Sequence, residues 1–564
     1  MNANAKTDKT PLEAFRERVD NQAGEVAMVQ PQGGGKTREY SWQEMDDETR
    51  RMAAWLKSKD FPQGSKIALM SKNCAEWIMA DLAIWMAGHV SVPLYPTVTA
   101  ETVQHIVEHS ESRLFFAGKL DTWEEAKNGI PDNIEVAAFS LAPEDARSRF
   151  TDWTQIVREH DPLPVDQIHH PGDEEVATLI YTSGTTGMPK GVIQSFGSLK
   201  IMGNQLPDVY GMTSKDRMIS YLPLSHVAER AAVELSMLYV GQKVYFAESL
   251  ETFGSDIQRA RPTLFFAVPR IWNKFYQKAA DKMPPEKLDK LLKIPLLNRV
   301  IKNKVLGAMG LDQCRIALSG ASALSPEVIH WFRKLGLEIL EVYGMTENMA
   351  WSHATAAGDQ HVGWVGTPHA GVEHTIGEGG EILVRSPANM DGYYKEPEKT
   401  RETISEDGWL YTGDVGEIDE KGRLRITGRV KEIFKTEKGK YVAPAPIENK
   451  MVSHPGLEQA CVTGANLTQP IALVCLSEEE IGHLLDDDKE IQQYKQGLEK
   501  LLERVNRELE AHEKLDALVV VPETWSVDND MLTPTMKLKR NIIEDYYRDQ
   551  LPQWHQQGGV VWAR

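Results

Sequence analysis

A run of glycines and hydroxyl-bearing residues, ending at one lysine, follows a short apolar segment of the chain. The apolar segment, Ala177–Tyr181, is short and β-rich enough to predict a buried strand. The residues after it are Thr182, Ser183, Gly184, Thr185, Thr186, Gly187, Met188, Pro189, Lys190 and Gly191. Glycines let backbone N–H groups approach an anion, hydroxyls donate further hydrogen bonds, and a lysine adds a mobile positive charge. This composition indicates a phosphate-binding loop, with a surface turn as the alternative.

This loop is not a Walker A motif. That motif places Gly directly before its Lys and Ser or Thr directly after it, whereas Lys190 lies between Pro189 and Gly191. The earlier stretch Gly33–Thr37 does end in Gly-Lys-Thr, but the first glycine of the motif would fall on Gln30. We therefore interpret Gly33–Thr37 as the loop of a β-hairpin.

Further segments downstream combine small, aromatic and ionisable residues. In chain order they are Leu222–His226 (LPLSH), Phe265–Arg270 (FFAVPR), Ser319–Leu324 (SGASAL), Tyr343–Glu347 (YGMTE), Tyr411–Asp414 (YTGD), Gly428–Arg429, Lys435–Pro444 (KTEKGKYVAP) and Leu532–Arg540 (LTPTMKLKR). Each alone has an ordinary structural interpretation, such as a core histidine or a lysine on a polar loop. Together and in this order, they resemble the motifs of the adenylate-forming superfamily, which contains acyl-CoA synthetases, luciferases and peptide-synthetase adenylation domains. The resemblance covers nearly the whole chain.

The resemblance implies a site for ATP and Mg²⁺. The loop 182–191 would hold the β- and γ-phosphates, and Thr346 would hydrogen-bond the α-phosphate. Glu347 would hold Mg²⁺, with Thr186 as a second candidate ligand.

The adenosine part of ATP would lie against small and hydrogen-bonding residues. The candidates are Gly320, Ala321, Ser322, Tyr343, Gly344, Asp414 and Arg429. Small residues let the backbone approach a flat base, and Tyr343 can stack on it. By resemblance, Asp414 and Arg429 would hold the ribose, because an aspartate can accept from both hydroxyls while arginine adds donors.

The C-terminal segments resemble the parts of the family that move during the reaction. Lys431 occupies the hinge position, where a few dihedral angles absorb a rotation of the small domain. Gly439 lies in the loop that faces the pantetheine channel of CoA. Lys537, rather than Lys539, matches the position of the adenylation lysine.

Two segments favour the long-chain acyl-CoA synthetase subgroup. His226 corresponds to a histidine at the junction of the acyl and adenylate sites, where it would donate a hydrogen bond or gate the pocket. Val268–Arg270 and the aromatic residues around it would form a wall for an alkyl chain, since affinity there scales with buried methylenes at about 0.8 kcal/mol each.

Composition limits the function classes. A chain of 564 residues is too long for one core, and 41% hydrophobic with 26% charged residues fits a globular protein. A net charge of −19 argues against nucleic-acid binding and against overall attraction to an anionic membrane, although a local basic patch could still bind one. Four scattered cysteines and a polar N-terminus without a signal-peptide core indicate a reduced, cytoplasmic protein.

Alternating strands and helices in the first part of the chain predict an α/β fold with doubly wound sheets. Past Ile376, short strands with turns indicate a small barrel-like subdomain. Beyond Gly428 a smaller α+β unit follows, with a helix at Ile491–Leu515. We predict an N-terminal domain, residues 1–430, that binds ATP and the acyl group, and a mobile C-terminal domain, residues 431–564, that carries the adenylation lysine.

The sequence predicts an AMP-forming long-chain-fatty-acid–CoA ligase. It would use ATP, Mg²⁺ and CoA to make acyl-AMP, release pyrophosphate and form acyl-CoA. Alternatives are a medium-chain synthetase, an acyl- or aryl-adenylating ligase that loads a carrier protein, and a non-catalytic nucleotide- or lipid-binding protein. We expect small-molecule partners, no nucleic acid, a monomer or homodimer, and at most weak peripheral association with the inner membrane face.

Overall fold

A computed structural model describes residues 8–182, 188–452, 454, 456–477, 480–481, 488–527, 529–533 and 536–563. The predicted phosphate-loop residues Ser183, Gly184, Thr185, Thr186 and Gly187 lie outside the described residues. The two ends of that loop, Thr182 and Lys190, are described and pair with each other across two antiparallel strands.

The largest sheet has eight strands and carries the phosphate loop. In sheet order they are Gly392–Tyr393, Lys190–Ser195, Val176–Thr182, Val90–Leu94, Lys66–Met70, Leu114–Ala117, Glu135–Ala138 and Thr151–Asp152. The pairs from Val176–Thr182 to Thr151–Asp152 are parallel, and the other two are antiparallel. The predicted strand and its mainly parallel sheet are therefore confirmed.

Two further sheets complete the α/β part. One contains Arg217–Ser220, Lys243–Phe246, Val26–Pro31 and Thr37–Ser41, and the other contains Leu264–Ala267, Ile316–Ser319, Ile339–Tyr343, His353–Ala354 and Thr367–Pro368. The hairpin predicted across Gly33–Thr37 is present. Its glycines have φ angles of 84°, 59° and 78°, a region that suits residues without a Cβ atom.

The later strands form smaller sheets. An antiparallel sheet contains Glu373–Ile376, Glu381–Arg385, Leu410–Ile418 and Leu424–Arg429. A two-stranded ribbon, Phe434–Lys435 and Tyr441–Val442, precedes a mixed sheet of Leu457–Thr463, Ile471–Leu476, Ala517–Val520 and Gly559–Trp562. The short strands predicted past Ile376 are present and pair antiparallel in the first of these sheets.

Helices connect and cover these sheets. The α-helices are Pro11–Gln22, Trp42–Lys57, Ala75–Met86, Ala100–Ser110, Trp123–Ala126, Glu144–Arg149, Trp153–Glu159, Phe196–Tyr210, Val227–Glu229, Ser236–Val240, Phe253–Ala260, Pro269–Lys282, Pro285–Leu292, Pro295–Ala308, Pro326–Leu335, Pro397–Thr403, Pro444–Met451, Asp488–Arg507, Arg540–Tyr547 and Leu551–Gln557. Within the described ranges, none is both long and apolar enough to cross a bilayer.

The long C-terminal helix ends earlier than the sequence indicated. It ends at Arg507 instead of Leu515. The Asn506 side chain accepts a hydrogen bond from the Leu515 N–H at 2.8 Å and donates to the Leu515 carbonyl at 2.9 Å. These two hydrogen bonds fold residues 508–515 back into turns. The pattern of charged and apolar residues does not predict such a contact.

A buried ion network supports the strand that leads into the phosphate loop. Arg230 donates to Asp81, to Glu234 at 3.1 Å and to the Thr178 hydroxyl at 2.7 Å. The side chains of all three charged residues are at most 1% exposed. Burial and the negative charge of Asp81 raise the pKa of Glu234 well above its usual range. Arg230 therefore links the buried helix Ala75–Met86 to the strand Val176–Thr182, because it binds both Asp81 and Thr178.

We expect Arg230→Met to lower the free energy of unfolding by about 3–5 kcal/mol, because it leaves buried acidic groups without their cation. Urea denaturation measures this change. Arg158→Met is the matched control, since the Arg158 side chain is 75% exposed. Equal losses in the two variants would contradict the assigned role of the network.

Candidate functional site

A cavity of about 2370 Å³ gathers most of the predicted site residues. Those that line it are Thr182, Lys190, His226, Gly320, Ala321, Ser322, Tyr343, Gly344, Thr346, Glu347, Asp414, Arg429, Lys431 and Lys537. Gly439 is not among its lining residues and lies in an exposed turn with a φ angle of 74°. The structure therefore joins all the described predicted residues except Gly439 into one cavity.

Asp414 is the centre of a polar cluster on one wall. The pairing of Leu410–Ile418 with Leu424–Arg429 places Asp414 opposite Arg429. One carboxylate oxygen of Asp414 accepts from Arg429 Nε at 2.8 Å, and the other accepts from the Tyr343 hydroxyl at 2.7 Å. Each oxygen keeps a free lone pair, so the carboxylate can still accept from two hydroxyls of a ligand.

Glycines allow the backbone to close tightly beside Tyr343. A Cβ atom on Gly320 would come within 2.9 Å of the Val342 side chain. On Gly344 it would come within 2.6 Å of the Ala350 backbone. Ala321 has a φ of 70°, which is strained for a residue with a Cβ. Larger side chains at the glycines would displace the strand ends that form this wall.

Tyr393, which was not predicted as a site residue, contacts both Glu347 and Lys190. The Tyr393 hydroxyl donates to Glu347 Oε1 at 2.8 Å, and Lys190 Nζ lies 5.2 Å from the centroid of the Tyr393 ring. Burial and then the adjacent Lys399 lower the pKa of Lys190, and Lys431 lowers it further. Three lysines that repel one another therefore converge here, as expected of a site that binds an anion.

The sequence around Tyr393 and Lys399 contains a signal that could have identified them as candidate site residues. The segment Gly392–Lys399 combines a glycine, two tyrosines and two lysines. Its place beside the phosphate loop depends on the antiparallel pairing of Gly392–Tyr393 with Lys190–Ser195, two strands that are far apart in sequence.

His226 lies at the start of a short helix and faces the cavity. Its Nδ1 accepts from the Ala228 N–H at 3.1 Å, which leaves the proton of the neutral ring on Nε2. Burial, followed by the positive charge of Lys537, lowers the pKa of His226 to about 4. At neutral pH the ring is therefore an uncharged hydrogen-bond donor.

Two buried residues without a predicted role hold the segment before His226. Asn73 Nδ2 donates to the Leu222 carbonyl at 2.6 Å, and Asn73 Oδ1 accepts from the Leu224 N–H at 3.0 Å. Glu229 Oε1 accepts from the Ser220 hydroxyl at 2.9 Å. Burial nevertheless raises the pKa of Glu229 to about 8. Asn73 and Glu229 thus hold the backbone that presents His226.

Lys537 reaches the cavity from the C-terminal part of the chain. Its loop is closed by hydrogen bonds between Thr533 and Lys537, at 2.8 and 3.1 Å. Lys537 has exposed surface because it faces the open cavity, but surrounding protein and the charge of Arg429 lower its pKa. The carboxylates of Asp414 and Glu347 oppose that shift. The charges of the predicted nucleotide residues therefore act on the Lys537 ammonium group.

Polar contacts connect the C-terminal part to the rest of the molecule in this arrangement. Arg270 forms an ion pair with Glu458, and Gln277 donates to the His454 carbonyl at 3.4 Å. Between the two parts, Lys431 is exposed and Val430 is 46% exposed. The residues at the predicted hinge are thus exposed to solvent.

The fold and the site together correspond to a known class of enzyme. The chain belongs to the AMP-binding enzyme family, whose model matches residues 15–394. A second model, the AMP-binding enzyme C-terminal domain, matches residues 432–557.

Curated relatives and a solved structure agree with this assignment. A peroxisomal long-chain acyl-CoA synthetase of Arabidopsis thaliana is 29% identical over 93% of this chain and 83% of its own. A long-chain-fatty-acid–CoA ligase of Mycobacterium bovis is 29% identical over 90% of this chain and 91% of its own. The adenylation domain of a carboxylate reductase from Mycobacterium chelonae superposes with a TM-score of 0.82 at 23% identity, covering 97% of this chain and 91% of that one. The predicted α/β fold is confirmed.

We expect Glu229→Gln to remove a pH-dependent loss of stability. The native carboxyl keeps its proton up to about pH 8, whereas in the unfolded chain it loses it above about pH 4.3, so unfolding becomes easier as pH rises between these values. As pH rises, the free energy of unfolding of the variant minus that of the natural protein should increase by up to about 1.4 kcal/mol per pH unit. Urea denaturation from pH 5 to 8 measures it, and a constant difference would contradict the assignment.

Proposed function

We propose that the protein is an AMP-forming acyl-CoA synthetase that activates fatty acids, long-chain acids in particular. The observation that carries this proposal is the position of Lys537 in the cavity that also holds Glu347, Asp414 and His226. The names of the relatives support the same activity. A binding module would have no need of a lysine delivered from a separate part of the chain.

The apolar part of the cavity supports an acyl substrate. Its lining includes the aliphatic and aromatic side chains of Met202, Leu206, Met218, Phe253, Phe265, Phe275, Ala279, Met283, Val305 and Met309. Each methylene of an alkyl chain buried there contributes about 0.8 kcal/mol. His226 lines the same cavity, and its Nε2–H can donate to the substrate carboxylate.

In the first step, an oxygen of the fatty carboxylate bonds to the α-phosphorus of ATP. The bond from that phosphorus to the bridging oxygen breaks, and pyrophosphate leaves. Lys537 would align the carboxylate and phosphate oxygens, while Lys190 and Lys399 would bind the leaving pyrophosphate. This chemistry needs no covalent nucleophile from the protein, so alignment and charge supply the rate.

Glu347 suits a magnesium ion. Its Oε1 accepts from Tyr393, but its Oε2 accepts no hydrogen bond from the described residues. A carboxylate oxygen is a preferred ligand of Mg²⁺, which would neutralise phosphate charge when bound. The second candidate ligand, Thr186, lies outside the described residues.

In the second step, the CoA sulfur bonds to the acyl carbon, its proton passes to solvent, and AMP leaves. We infer that a rotation near Lys431, at the border of domains 1–430 and 431–564, withdraws Lys537 between the steps. The same rotation would bring Gly439 to the channel for pantetheine. The exposure of Val430 and Lys431 at the border and the position of Gly439 outside the cavity support this inference.

The proposed function is tested by thioester formation from ATP, Mg²⁺, CoA and a ladder of acids from acetate to oleate. We expect CoA-dependent turnover that rises with chain length and exceeds that with benzoate. Release of one pyrophosphate per active site that CoA does not accelerate would instead indicate a ligase for a carrier protein. Absence of pyrophosphate with every acid would overturn the proposal.

We expect Lys537→Ala to slow acyl-AMP formation by about 10²–10³, as for the loss of one donor to a developing charge. Conversion of supplied acyl-AMP to acyl-CoA should remain. Quenched-flow assays of each half-reaction measure both rates. Lys539→Ala is the matched control, because Lys539 pairs with Asp530 on the same loop. Equal losses in both half-reactions would refute the role of Lys537.

We expect Lys431→Pro to retain acyl-AMP formation and lose thioester formation, because the ring fixes φ at the border. Lys431→Ala removes the same charge without fixing the backbone and serves as the control. The same two half-reaction assays apply. Full overall activity in the proline variant would show that no rotation is needed there.

A further inference from the structure

Gln194 is buried next to the candidate site and does not line the cavity. It lies on the strand Lys190–Ser195, which follows the phosphate loop, and its exposed fraction is 0%. Its Nε2 donates a hydrogen bond to the Thr346 carbonyl at 2.7 Å. Among the residues that the structure describes, none donates to its Oε1. A buried amide with an unpaired oxygen costs free energy that an apolar side chain would not, so core packing alone does not explain this residue.

The carbonyl that Gln194 contacts belongs to the peptide unit that joins Thr346 to Glu347. A peptide unit is planar, so a hydrogen bond that fixes its oxygen also fixes the direction in which the next residue continues. The following carbonyl, that of Glu347, accepts from the Met390 N–H at 2.7 Å. The peptide units on both sides of the Glu347 Cα atom are therefore held by donors from distant segments of the chain.

Both of these donors are connected to the strand that follows the phosphate loop. Gln194 lies on that strand, and Met390 lies two residues before the edge strand Gly392–Tyr393, which pairs with it. Side chains alternate along a strand, so Lys190 and Gln194, four residues apart, project from the same face. One strand therefore positions both the lysine at the end of the phosphate loop and the backbone of Glu347.

The turn that carries Thr346 and Glu347 ends in strained backbone. Met349 and Ala350 have φ angles of 49° and 57°, in the left-handed region that disfavours residues with a Cβ atom. Within this turn the Thr346 carbonyl also accepts from the Met349 N–H, at a longer distance of 3.3 Å. The shorter bond from Gln194 comes from outside the strained turn and therefore opposes its relaxation.

We propose that Gln194 is a positioning residue for the binding of ATP with Mg²⁺ and that it touches neither ligand. It holds the peptide between Thr346 and Glu347 against the strand that begins at Lys190. The Glu347 carboxylate and the Lys190 ammonium group thereby keep one spacing, which suits a polyphosphate and its metal ion together. This inference rests on the proposed function, which assigns Mg²⁺ to Glu347 and phosphate to Lys190.

Titration calorimetry of the full chain with ATP, without fatty acid or CoA, tests the proposal. The quantity measured is the dissociation constant of ATP in EDTA divided by that in Mg²⁺, which is the factor by which magnesium improves binding. We expect Gln194→Met to lower this ratio by about fivefold, the effect of one net hydrogen bond. A purely structural role would lower stability without changing the ratio.

A shorter amide and a matched buried glutamine complete the experiment. Gln194→Asn lacks one methylene and cannot reach the Thr346 carbonyl, so it should also lower the ratio, and it decides the case if Gln194→Met does not fold. Gln242→Met is the control. Gln242 is also 0% exposed, donates to the Ser236 hydroxyl at 2.6 Å and, within the described part of the chain, has an unpaired Oε1. The control should keep the ratio of the natural protein.

Two results would overturn the proposal and leave the proposed function intact. One is an unchanged ratio in either folded Gln194 variant, and the other is an equal decrease in Gln242→Met. If magnesium does not improve ATP binding by the natural protein, the assignment of Mg²⁺ to Glu347 is wrong, and the role of Gln194 is wrong with it.

Discussion

The site depends on the carboxylate of Asp414 and its two fixed donors. Arg429 approaches one oxygen from the neighbouring antiparallel strand, and Tyr343 approaches the other from the end of a parallel strand in another sheet. This single group therefore joins two sheets at the wall of the cavity. It also provides negative charge close to Lys537, which favours the approach of that lysine from the C-terminal part of the chain.

The cavity is positively charged within an acidic protein. Lys190, Lys399, Lys431, Arg429 and Lys537 converge on it, and burial and mutual repulsion lower the pKa of Lys190 and Lys537. The negative charge of a bound polyphosphate would offset the repulsion among these cations. Arrangements of this kind are costly without a ligand and effective with one, which is why strongly shifted groups concentrate at functional sites.

Local patterns predicted the elements well where neighbouring residues decide the structure. The helix Trp42–Lys57, for example, begins with a capping box between Ser41 and Glu44, a signal that lies within four residues of sequence. The order of the motifs located Tyr343, Asp414 and Lys537, and the cavity contains all three. Contacts between distant segments were not predictable in this way.

Three misses show the reason. Tyr393 reaches Glu347 only because an edge strand pairs with the phosphate-loop strand, and Asn73 supports the segment before His226 across about 150 residues. The end of the helix at Arg507 depends on hydrogen bonds between the Asn506 side chain and the Leu515 backbone.

The most direct test of the proposed chemistry is a single-turnover reaction with ATP and hexadecanoate in the absence of CoA, quenched and analysed for nucleotides. We expect one acyl-AMP and one pyrophosphate per active site, with conversion to acyl-CoA when CoA is added. Formation of ADP and phosphate, or of thioester without a preceding acyl-AMP, would contradict it.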